Sequence, residues 1–352
     1  MKKEARPEGK PIGLGAIAEA TGVSRMAVSL ALRNSPRISA ATRKRVQAAA
    51  RRLGYRRDAE VDAYLLRVRG AKSRTPILLA WLNAGEEEDA WTRYPQLLPY
   101  LEGARERAAT LGYRLDEFWL RAHGMTSRRL SAILYQRGIQ GVLITPPQKR
   151  GTFHLRLDWA KFACASFEKA LLAPRIHRAA PDYFYNLTLT LKKLRRLGYR
   201  RIGVYLSGNM DRRSHHAYRA ALADFQAGRP VAERVPPFTG FADASSLAEQ
   251  GRWLRRHLPD AVVGQHSRLV EWIELNGFRV PQQISVAHLN LEGDCDDWAG
   301  IRTHKREIGA AAVDLVVSML RNNELGLPAM AHDISLTGSW QPGRTLRTPH
   351  RA

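Results

Sequence analysis

The 352-residue sequence has few cysteines, a shortage of acidic residues and no long apolar run. Its two cysteines, Cys164 and Cys295, are too few for a disulfide framework and are typical of a protein of the reducing cytoplasm. No apolar segment approaches the roughly 20 residues that a membrane-spanning helix needs. The first residues, MKKEARPEGKPIGL, lack the apolar centre of a secretory signal. These absences predict a cytoplasmic protein that does not enter a membrane.

Signatures of enzymes and of bound cofactors are also scarce. The sequence has neither a glycine-rich phosphate loop followed by Lys-Ser/Thr nor a Gly-x-Ser-x-Gly nucleophile motif. The acidic segment EGDCDDW places Asp294, Asp296 and Asp297 around Cys295, but without the ligand spacing of a calcium loop. We therefore predict that the protein is not an enzyme and that it binds no cofactor or metal.

Positive charge is abundant, and it is concentrated near the N-terminus. The formal net charge is +23, and residues 1–74 hold 18 lysines and arginines against 6 acidic residues. A fifth of the chain therefore carries about half of the excess, and such a focused field attracts polyanions, nucleic acid first. A GC-rich genome that favours arginine is an alternative explanation for the charge of residues 75–352, but not for this concentration.

Residues 14–54 have the pattern of three short helices. Gly22 can take the left-handed turn that ends the first helix, and Ser24 is a good cap for the second. Ser39 is a good cap for a third helix, which Gly54 ends. Three helices in about 45 residues, with a glycine turn between the first two, are typical of a helix-turn-helix unit.

The second of these helices carries side chains suited to reading DNA. Arg25, Met26 and Leu30 are expected on its outward face, near the end that reaches base edges in the major groove. Arginine can bind guanine through O6 and N7, and the two apolar side chains can pack on thymine methyl groups. Nearby hydroxyl and arginine side chains are candidates for phosphate contacts: Ser24, Ser29, Arg33, Arg37, Ser39 and Thr42. The alternative is a structural three-helix domain with a solvated basic face.

From residue 76 onwards, short apolar segments alternate with amphipathic ones. PILLAWLN, GVLITP and AVVG have the character of strands, and LEGARERAATLGY and LTLTLKKLRRLGY that of helices. This alternation predicts parallel sheets with helices on both faces. Because the alternation restarts near residue 183, we predict two similar lobes with a cleft in which a small molecule could bind.

The segment IAEATGVSRMAVSLALRNSPRISAATRKRVQAAARRLGY resembles the DNA-binding headpiece of LacI-type transcriptional regulators. RGIQGVLI, NGFRVPQQISV and AGIRTHKREIGAAAVDLV are similar, more loosely, to the periplasmic-binding-protein-like core of that family. The resemblance implies an all-α headpiece joined to a two-lobed α/β core, in a homodimer that represses transcription from a near-palindromic double-stranded DNA operator. It also implies a small-molecule effector, such as a carbohydrate, in the interlobe cleft. It places Arg25, Met26 and Leu30 at the family's base-reading positions.

The predicted domains follow from this resemblance. Residues 1–55 form the headpiece, residues 56–75 a hinge or linker helix, and residues 76–352 the effector-binding and dimerisation domain. Within this domain the first lobe is predicted to span about 76–175 and 299–325, and the second lobe about 176–298 and 326–345.

The linker departs from the family pattern. In the family a hinge helix follows Leu-Gly-Tyr-x-Pro-Asn and inserts a leucine into the minor groove. Here Arg57 and Asp58 replace the proline and asparagine, and Tyr64 takes the place of the leucine, with Leu65 next to it. An apolar wedge at these residues could kink DNA. A plain linker helix or a dimerisation helix is the alternative.

Several positions that bind the effector in this family carry other residues in this sequence. Ser214 stands where many members have an arginine, and Ala217 replaces a glycine. The candidate effector residues lie near strand ends or on loops that face the cleft: Asn83, Trp91, Ser166, Arg213, Ser214, His266 and Trp298. Two alternatives stay open at this point, a two-lobed solute- or sugar-binding protein and a DNA binder that responds to no effector.

Overall fold

The computed structural model describes residues 13–32, 35, 37–55, 77–147, 152–240, 246–291 and 295–347. Among the sequence-based candidates, Arg33 and the two hinge residues Tyr64 and Leu65 lie outside the described residues. None of the described helices is long and apolar enough to cross a membrane.

The N-terminal unit consists of three helices, α1 (Leu14–Thr21), α2 (Arg25–Leu32) and α3 (Ala40–Arg52). Gly22 ends α1 with φ +65°, in the left-handed region, as predicted. The hydroxyl of Ser24 accepts a hydrogen bond from the backbone N–H of Ala27 (3.1 Å), and that of Ser39 from Thr42 (3.2 Å). Both predicted helix caps are thereby confirmed.

One face of each helix contributes to a small core in this unit. Ile17 of α1, Val28 of α2 and Val46 of α3 are fully buried, with Ala49 and Ala50 nearly so. Burial of a Val or Ile side chain contributes about 1.5–3 kcal/mol, so these residues hold the three helices together. In the sequence, these residues recur at the three- and four-residue spacing that places apolar side chains on one face of a helix.

The first lobe of the core is a six-stranded sheet with helices packed against it. Its helices are α4 (Ala90–Arg93), α5 (Leu98–Thr110), α6 (Ser127–Gln136) and α12 (Lys305–Asn322). Its strands are β1 (Ile77–Asn83), β2 (Tyr113–Trp119), β3 (Gly141–Ile144), β5 (Ala163–Phe167), β7 (His177–Pro181) and β12 (Asp333–Leu336). They pair in parallel in the order β12-β7-β5-β3-β1-β2. Two short strands, β4 (Phe153–His154) and β6 (Leu171–Ala173), form a separate pair.

The second lobe has a five-stranded sheet. Its helices are α7 (Tyr183–Arg196), α8 (Gly208–Arg213), α9 (Ala217–Ala227), α10 (Leu247–His257) and α11 (Leu269–Leu275). Its strands are β8 (Ile202–Val204), β9 (Ala261–Gly264), β10 (Ser285–His288), β11 (Ala299–Arg302) and β13 (Ser339–Gln341). The strand order is β13-β11-β10-β9-β8, and β13 alone is antiparallel to its neighbour among these strands. Two lobes with mainly parallel sheets agree with the predicted fold class.

The predicted lobe boundaries are wrong at three strands. Strands β7 and β12 belong to the first sheet, although the sequence-based ranges assign them to the second lobe. Strand β11 belongs to the second sheet, although it was assigned to the first lobe. The chain therefore passes between the lobes after β7, after β11 and after β12, within the described ranges. Hydrophobic periodicity predicts that a segment is a strand, but which sheet it joins depends on hydrogen-bond partners distant in the sequence.

Two glycines allow helices α5 and α12 to pack against each other at very short range. A β carbon added to Gly103 of α5 would lie 2.0 Å from the carbonyl oxygen of Arg306. A β carbon added to Gly309 of α12 would lie 2.3 Å from the carbonyl oxygen of Tyr100. This crossing fixes the start of α12, and with it Lys305, relative to the rest of the first lobe.

Candidate DNA-reading surface and ligand cavity

The predicted DNA-reading residues lie on α2. Arg25 and Met26 are its first two residues and are exposed, Met26 to 69%. Leu30 follows one turn after Met26 and is half-buried, so it is less accessible than predicted. An exposed methionine at the start of a short helix has no role in the headpiece core. The structure therefore presents one guanidinium group and one large apolar side chain at the end of α2 that faces solvent.

Arg25 is oriented by a contact with α1. A β carbon added to Gly15 would lie 3.1–3.4 Å from three atoms of the Arg25 guanidinium group. The guanidinium group thus lies against the bare α carbon of Gly15, and any larger residue there would displace it. Sequence patterns gave no sign of this contact, because it joins two helices.

The candidates for phosphate contacts have several roles in the described structure. The hydroxyls of Ser24 and Ser39 cap α2 and α3, and Ser39 also donates to the hydroxyl of Thr42 (2.9 Å). Arg37 is exposed and Ser29 is half-buried. Capped helix N-termini are favourable places for a phosphate, because their backbone N–H groups and the helix dipole attract negative charge. Contact of these residues with phosphate stays a prediction.

A cavity of about 580 Å³ lies between the two sheets, a volume within the usual range of small-molecule sites. It is found where strands β5, β8, β9 and β10 end, at the carboxyl edges of both sheets, which is the usual place for ligands in α/β folds. Five of its lining residues are tyrosines: Tyr94, Tyr100, Tyr183, Tyr205 and Tyr218. Aromatic faces and hydroxyl groups together make the cavity both apolar and able to form hydrogen bonds.

Two of the seven predicted effector residues, Arg213 and His266, line this cavity, and the other five do not. Ser166 is buried within β5, and Ser214 is buried with its hydroxyl donating to the carbonyl oxygen of Asp211 (3.0 Å). Trp298 is buried and packs perpendicular to the His288 ring, with 5.7 Å between the ring centroids.

The structure also places Asn83 and Trp91 outside the cavity, contrary to the prediction. The side-chain amide of Asn83 donates to the carbonyl oxygens of Glu87 (2.7 Å) and Glu88 (2.9 Å), so it holds the loop that follows β1. Both residues border a separate void of only about 10 Å³. The position of a residue near a strand end predicts the correct edge of the sheet, but successive side chains point to opposite faces. Proximity to a strand end alone therefore does not identify the cavity-facing residues.

An ion pair joins the two lobes inside the cavity. Arg213, the last residue of α8 in the second lobe, contacts the carboxylate of Glu168, which follows β5 in the first lobe. The hydroxyl of Tyr100 donates to the other oxygen of this carboxylate (3.2 Å), and Arg213 also donates to the carbonyl oxygen of Pro147 (3.4 Å). Glu168 has φ +57°, a backbone conformation that side chains other than glycine rarely adopt.

The charges of this pair stabilise each other. Burial by itself would raise the pKa of Glu168, but Arg213, Lys305 and the Tyr100 hydroxyl together hold it below its ordinary value. Burial would lower the pKa of Arg213, but the carboxylate of Glu168 raises it overall. Both groups are therefore charged at neutral pH, and the Glu168–Arg213 pair is a direct electrostatic link between the lobes.

The remaining polar groups of the cavity include two buried hydroxyls that make no hydrogen bond among the described residues, those of Tyr183 and Tyr205. Burial raises the pKa of both tyrosines, so both keep their protons. Nδ1 of His288 accepts a hydrogen bond from the backbone N–H of Asn290 (3.2 Å). Burial is the main cause that lowers the pKa of His288 to about 4; the positive charge of Lys305 adds to this effect, and hydrogen bonds to the backbone of Asn290 and Gln265 oppose it. The imidazole is thus neutral at neutral pH, with its proton on Nε2.

Because of His288, the protein is expected to lose stability as the pH falls from about 6.5 to about 4. The pKa of His288 is about 4 in the folded protein against 6.5 ordinarily, so the unfolded chain binds this proton first and is favoured in that window. The full effect is on the order of 3 kcal/mol. When it is measured by urea unfolding at several pH values, the free energy of unfolding should fall less steeply with decreasing pH for His288→Asn than for the wild type. Equal slopes for the two proteins would contradict the prediction.

Sequence reasoning missed Glu168, Lys305, Tyr205 and His288. Tyr205 directly follows strand β8 and His288 ends strand β10, so a position at the end of a short apolar run was an available signal. Glu168 and Lys305 had no such signal, because their partners belong to other elements. No group of three or more His, Cys, Asp or Glu residues that could hold a metal ion occurs in the part of the chain that the structure describes.

Both parts of the chain match models of known protein families. Residues 14–58 match the family model described as bacterial regulatory proteins, lacI family. Residues 191–344 match the model of a periplasmic binding protein-like domain. Together the two models match more than half of the chain. No curated protein matches the sequence.

Solved structures with similar folds cover most of the chain. A complex of the transcriptional regulator CelR with cellobiose has 18% identity and a TM-score of 0.57, over 95% of this chain and 99% of that one. The lac repressor dimer bound to operator and the anti-inducer ONPF has 19% identity and a TM-score of 0.55, over 96% and 100%. The LacI family regulator CCPA from Weissella paramesenteroides with bound glucose has 13% identity and a TM-score of 0.55, over 78% and 100%. At such identities the similarity concerns the fold.

The helix-turn-helix unit, the two-lobed core and the two family matches occur in one chain and in the same order as in these regulators. The predicted fold class and family resemblance are thereby confirmed. Residues 14–58 of this protein thus match the LacI family of bacterial regulatory proteins, and residues 191–344 match the periplasmic binding protein-like domain.

Proposed function

We propose that this protein is a cytoplasmic transcriptional repressor that binds a near-palindromic operator as a homodimer. The observation that carries the proposal is the exposure of Arg25 and Met26 at the N-terminal end of α2, the part of a recognition helix that enters the major groove. Arg25 would bind a guanine, and Met26 would pack on a neighbouring thymine methyl group. In the lac repressor structure compared above, a dimer is bound to an operator.

Phosphate contacts would add affinity that does not depend on sequence. Residues 1–74 carry a net charge of +12, which favours association with any duplex and makes that association sensitive to salt. The capped N-termini of α2 and α3 could each hold a phosphate and fix the angle at which α2 enters the groove. Base reading by α2 would then decide which of many duplexes is preferred.

The cavity supports control of DNA binding by a small, polar effector such as a carbohydrate. It is lined from both lobes, with Glu168 and Tyr100 on one side and Arg213, Tyr205 and His288 on the other. A ligand that contacts both lobes stabilises one relative arrangement of them, and it shifts DNA affinity by its preference for that arrangement. CelR is seen with cellobiose and CCPA with glucose in the structures compared above.

Selection of binding sites from random duplex DNA tests the proposal directly. The full-length protein should be used at one fixed salt concentration near the physiological value, because affinity without a stated salt concentration has little meaning. We expect enrichment of an inverted repeat whose half-sites each contain a guanine. Salt-sensitive binding without any enriched motif would contradict sequence-specific repression. A single, unrepeated half-site would contradict the dimer.

A further inference from the structure

We propose that the second lobe carries a surface of its own for the phosphate backbone of a second DNA duplex. The surface lies where strands β8, β9 and β10 begin and where helices α7, α9, α10 and α11 end. We call it the basic edge, which comprises residues 193–201, 224–237, 254–260, 272–284 and 347. The inference rests on the proposed function only in that the headpieces hold the protein on DNA while this edge contacts another duplex.

Positive charge is concentrated at the basic edge rather than spread over the second lobe. The edge holds 11 lysines and arginines against 4 acidic residues, whereas the other residues of 183–302 and 337–347 hold 8 against 8. The surplus at the edge is therefore the surplus of the whole lobe. A genome that favours arginine would enrich all parts of the lobe alike, so base composition does not explain this distribution.

Contacts between the segments show that they form one surface. The guanidinium groups of Arg195 and Arg200 both pair with the carboxylate of Glu233, at 3.5 and 3.2 Å. The end of α7 thereby meets the segment that follows α9. Nε of Arg201 donates to the carbonyl oxygen of His257 (3.2 Å), the last residue of α10. The cations of these segments therefore add to one local field.

Two of the four carboxylates of the edge are engaged inside the protein. The side chain of Glu233 is only 12% exposed, between its two arginine partners. The carboxylate of Asp260 accepts hydrogen bonds from the backbone N–H groups of Arg200 (2.7 Å) and Arg201 (3.1 Å). The carboxylates exposed at the edge are those of Asp224 and Glu274.

The exposed cations of the edge outnumber these two carboxylates. Seven arginines are exposed: Arg196, Arg200, Arg234, Arg255, Arg256, Arg279 and Arg347. In the part of the chain that the structure describes, no carboxylate lies within ion-pair distance of Arg196, Arg255 or Arg256. These three guanidinium groups are available to an external anion.

The helix ends account for only part of this charge. Four helices end at the edge, and the C-terminal end of each carries about half of a negative elementary charge, which offsets roughly two of the surplus positive charges. Burial lowers the pKa of His257 at the end of α10, and the positive charges of Arg256 and Arg201 lower it further. The field of the arginines thus acts on a neighbouring group in spite of the helix end.

The basic edge lies at the end of the core opposite to the point where the chain enters it. Strand β1 starts at Ile77, so the chain from the headpiece enters at the edge where the strands of the first sheet begin. The edges where strands end border the cavity in both sheets. The edge where β8, β9 and β10 begin is therefore remote from Ile77. A duplex bound there is a different segment of DNA from the operator.

A DNA backbone suits this surface better than an acidic protein segment does. Duplex DNA carries one negative charge for about every 1.7 Å of its axis, so one duplex can meet cations from several segments of the edge. Arginine binds phosphate through two parallel hydrogen bonds. DNA that flanks the operator is also present at a high effective concentration around the bound protein. We therefore expect the operator-bound protein to bridge two duplexes.

Capture of a second duplex by DNA-bound protein tests the inference. The full-length protein is first bound to an immobilised operator duplex, or to an immobilised random duplex if selection yields no motif, and excess protein is washed away. A fluorescent random duplex of about 30 base pairs is then added at salt concentrations of about 50–200 mM. We expect capture of this second duplex, with an affinity that falls steeply as salt rises.

A triple variant, Arg196→Gln/Arg255→Gln/Arg256→Gln, locates the contact. It removes three exposed charges from the basic edge, and glutamine has nearly the helix propensity of arginine. With three phosphate contacts fewer, the second duplex should bind at least about tenfold more weakly. The plot of log K for the second duplex against log salt should become shallower by about 2–3.

The matched control is Arg128→Gln/Arg156→Gln/Arg175→Gln, which removes three exposed charges from the first lobe. It has the same net charge as the edge variant and should capture the second duplex as the wild type does. Melting followed by circular dichroism shows whether both variants are folded.

Several results would overturn the inference. They are no capture by the DNA-bound wild type, undiminished capture by the edge variant, and an equal loss in the control variant, which would indicate overall charge alone. Polyglutamate of matched charge that binds the edge more tightly than the duplex would identify an acidic protein as the partner instead. A selection that yields no motif would contradict the proposed function, while capture on the random duplex would still decide this inference.

Discussion

Replacement of Arg25 by alanine is expected to weaken binding to the selected operator by about 1–3 kcal/mol for each half-site, which is roughly 5- to 150-fold. The physical reason is the loss of two parallel hydrogen bonds from one guanidinium group to O6 and N7 of guanine. The structure supports this role, because Arg25 is exposed at the first position of α2 and Gly15 leaves room for its guanidinium group. Preference for guanine at one position of each half-site should be relaxed.

The control for this prediction is Arg45→Ala. Arg45 is exposed on α3, so this variant removes the same charge from the same small unit. A contact of Arg45 with DNA would be to phosphate. Its loss should therefore lower the affinity for the operator and for random duplex equally and reduce the salt dependence of binding. Equilibrium titrations of both duplexes at several salt concentrations separate the two kinds of contact. An equal loss of affinity for both duplexes in Arg25→Ala would show that Arg25 is itself a phosphate contact.

Replacement of Gly103 by alanine is expected to destabilise the core by about 2–3 kcal/mol or more. The added β carbon would lie 2.0 Å from the carbonyl oxygen of Arg306, far inside van der Waals contact. That oxygen belongs to the backbone of α12, so it cannot rotate away, and the two helices must separate. Alanine is favoured over glycine within a helix by up to about 1 kcal/mol, which offsets only part of this cost.

The matched control is Gly228→Ala. Gly228 ends α9 with φ −85°, and a β carbon there would meet nothing within 4 Å. Its replacement should change the free energy of unfolding by no more than about 0.5 kcal/mol. Urea unfolding followed by tryptophan fluorescence provides the comparison. If Gly103→Ala proves as stable as the wild type, helices α5 and α12 do not pack at the distance described here.

The same crossing connects stability with the ligand site. Displacement of α12 by Gly103→Ala would move Lys305, which is one of the residues that line the cavity. We therefore expect that any folded fraction of this variant binds the proposed effector more weakly than the wild type does. Gly228→Ala should bind it normally.

Much of the core's secondary structure could be predicted from sequence, but not all of it. Strands β1, β3, β9 and β10 are short apolar runs, and the helices α5, α7 and α9 have clear amphipathic periods, so local patterns were sufficient. Strand β2, YRLDEFW, lies at the edge of the first sheet and was not predicted, because three of its seven residues are charged and they interrupt any apolar run. Strand β7 lies in the first sheet only because its backbone pairs with β5 and β12.

The sequence by itself determined the helix-turn-helix unit of this protein. The turn at Gly22, the caps at Ser24 and Ser39 and the apolar stripes of the three helices all act within a turn or two of the chain, so residue order is enough to specify them. The ligand cavity was decided only by the tertiary structure. Glu168 and Arg213 are 45 positions apart, in different lobes. Whether two such charges meet, and which donors stay buried without a partner, depends on how the two sheets are placed, which no local pattern encodes.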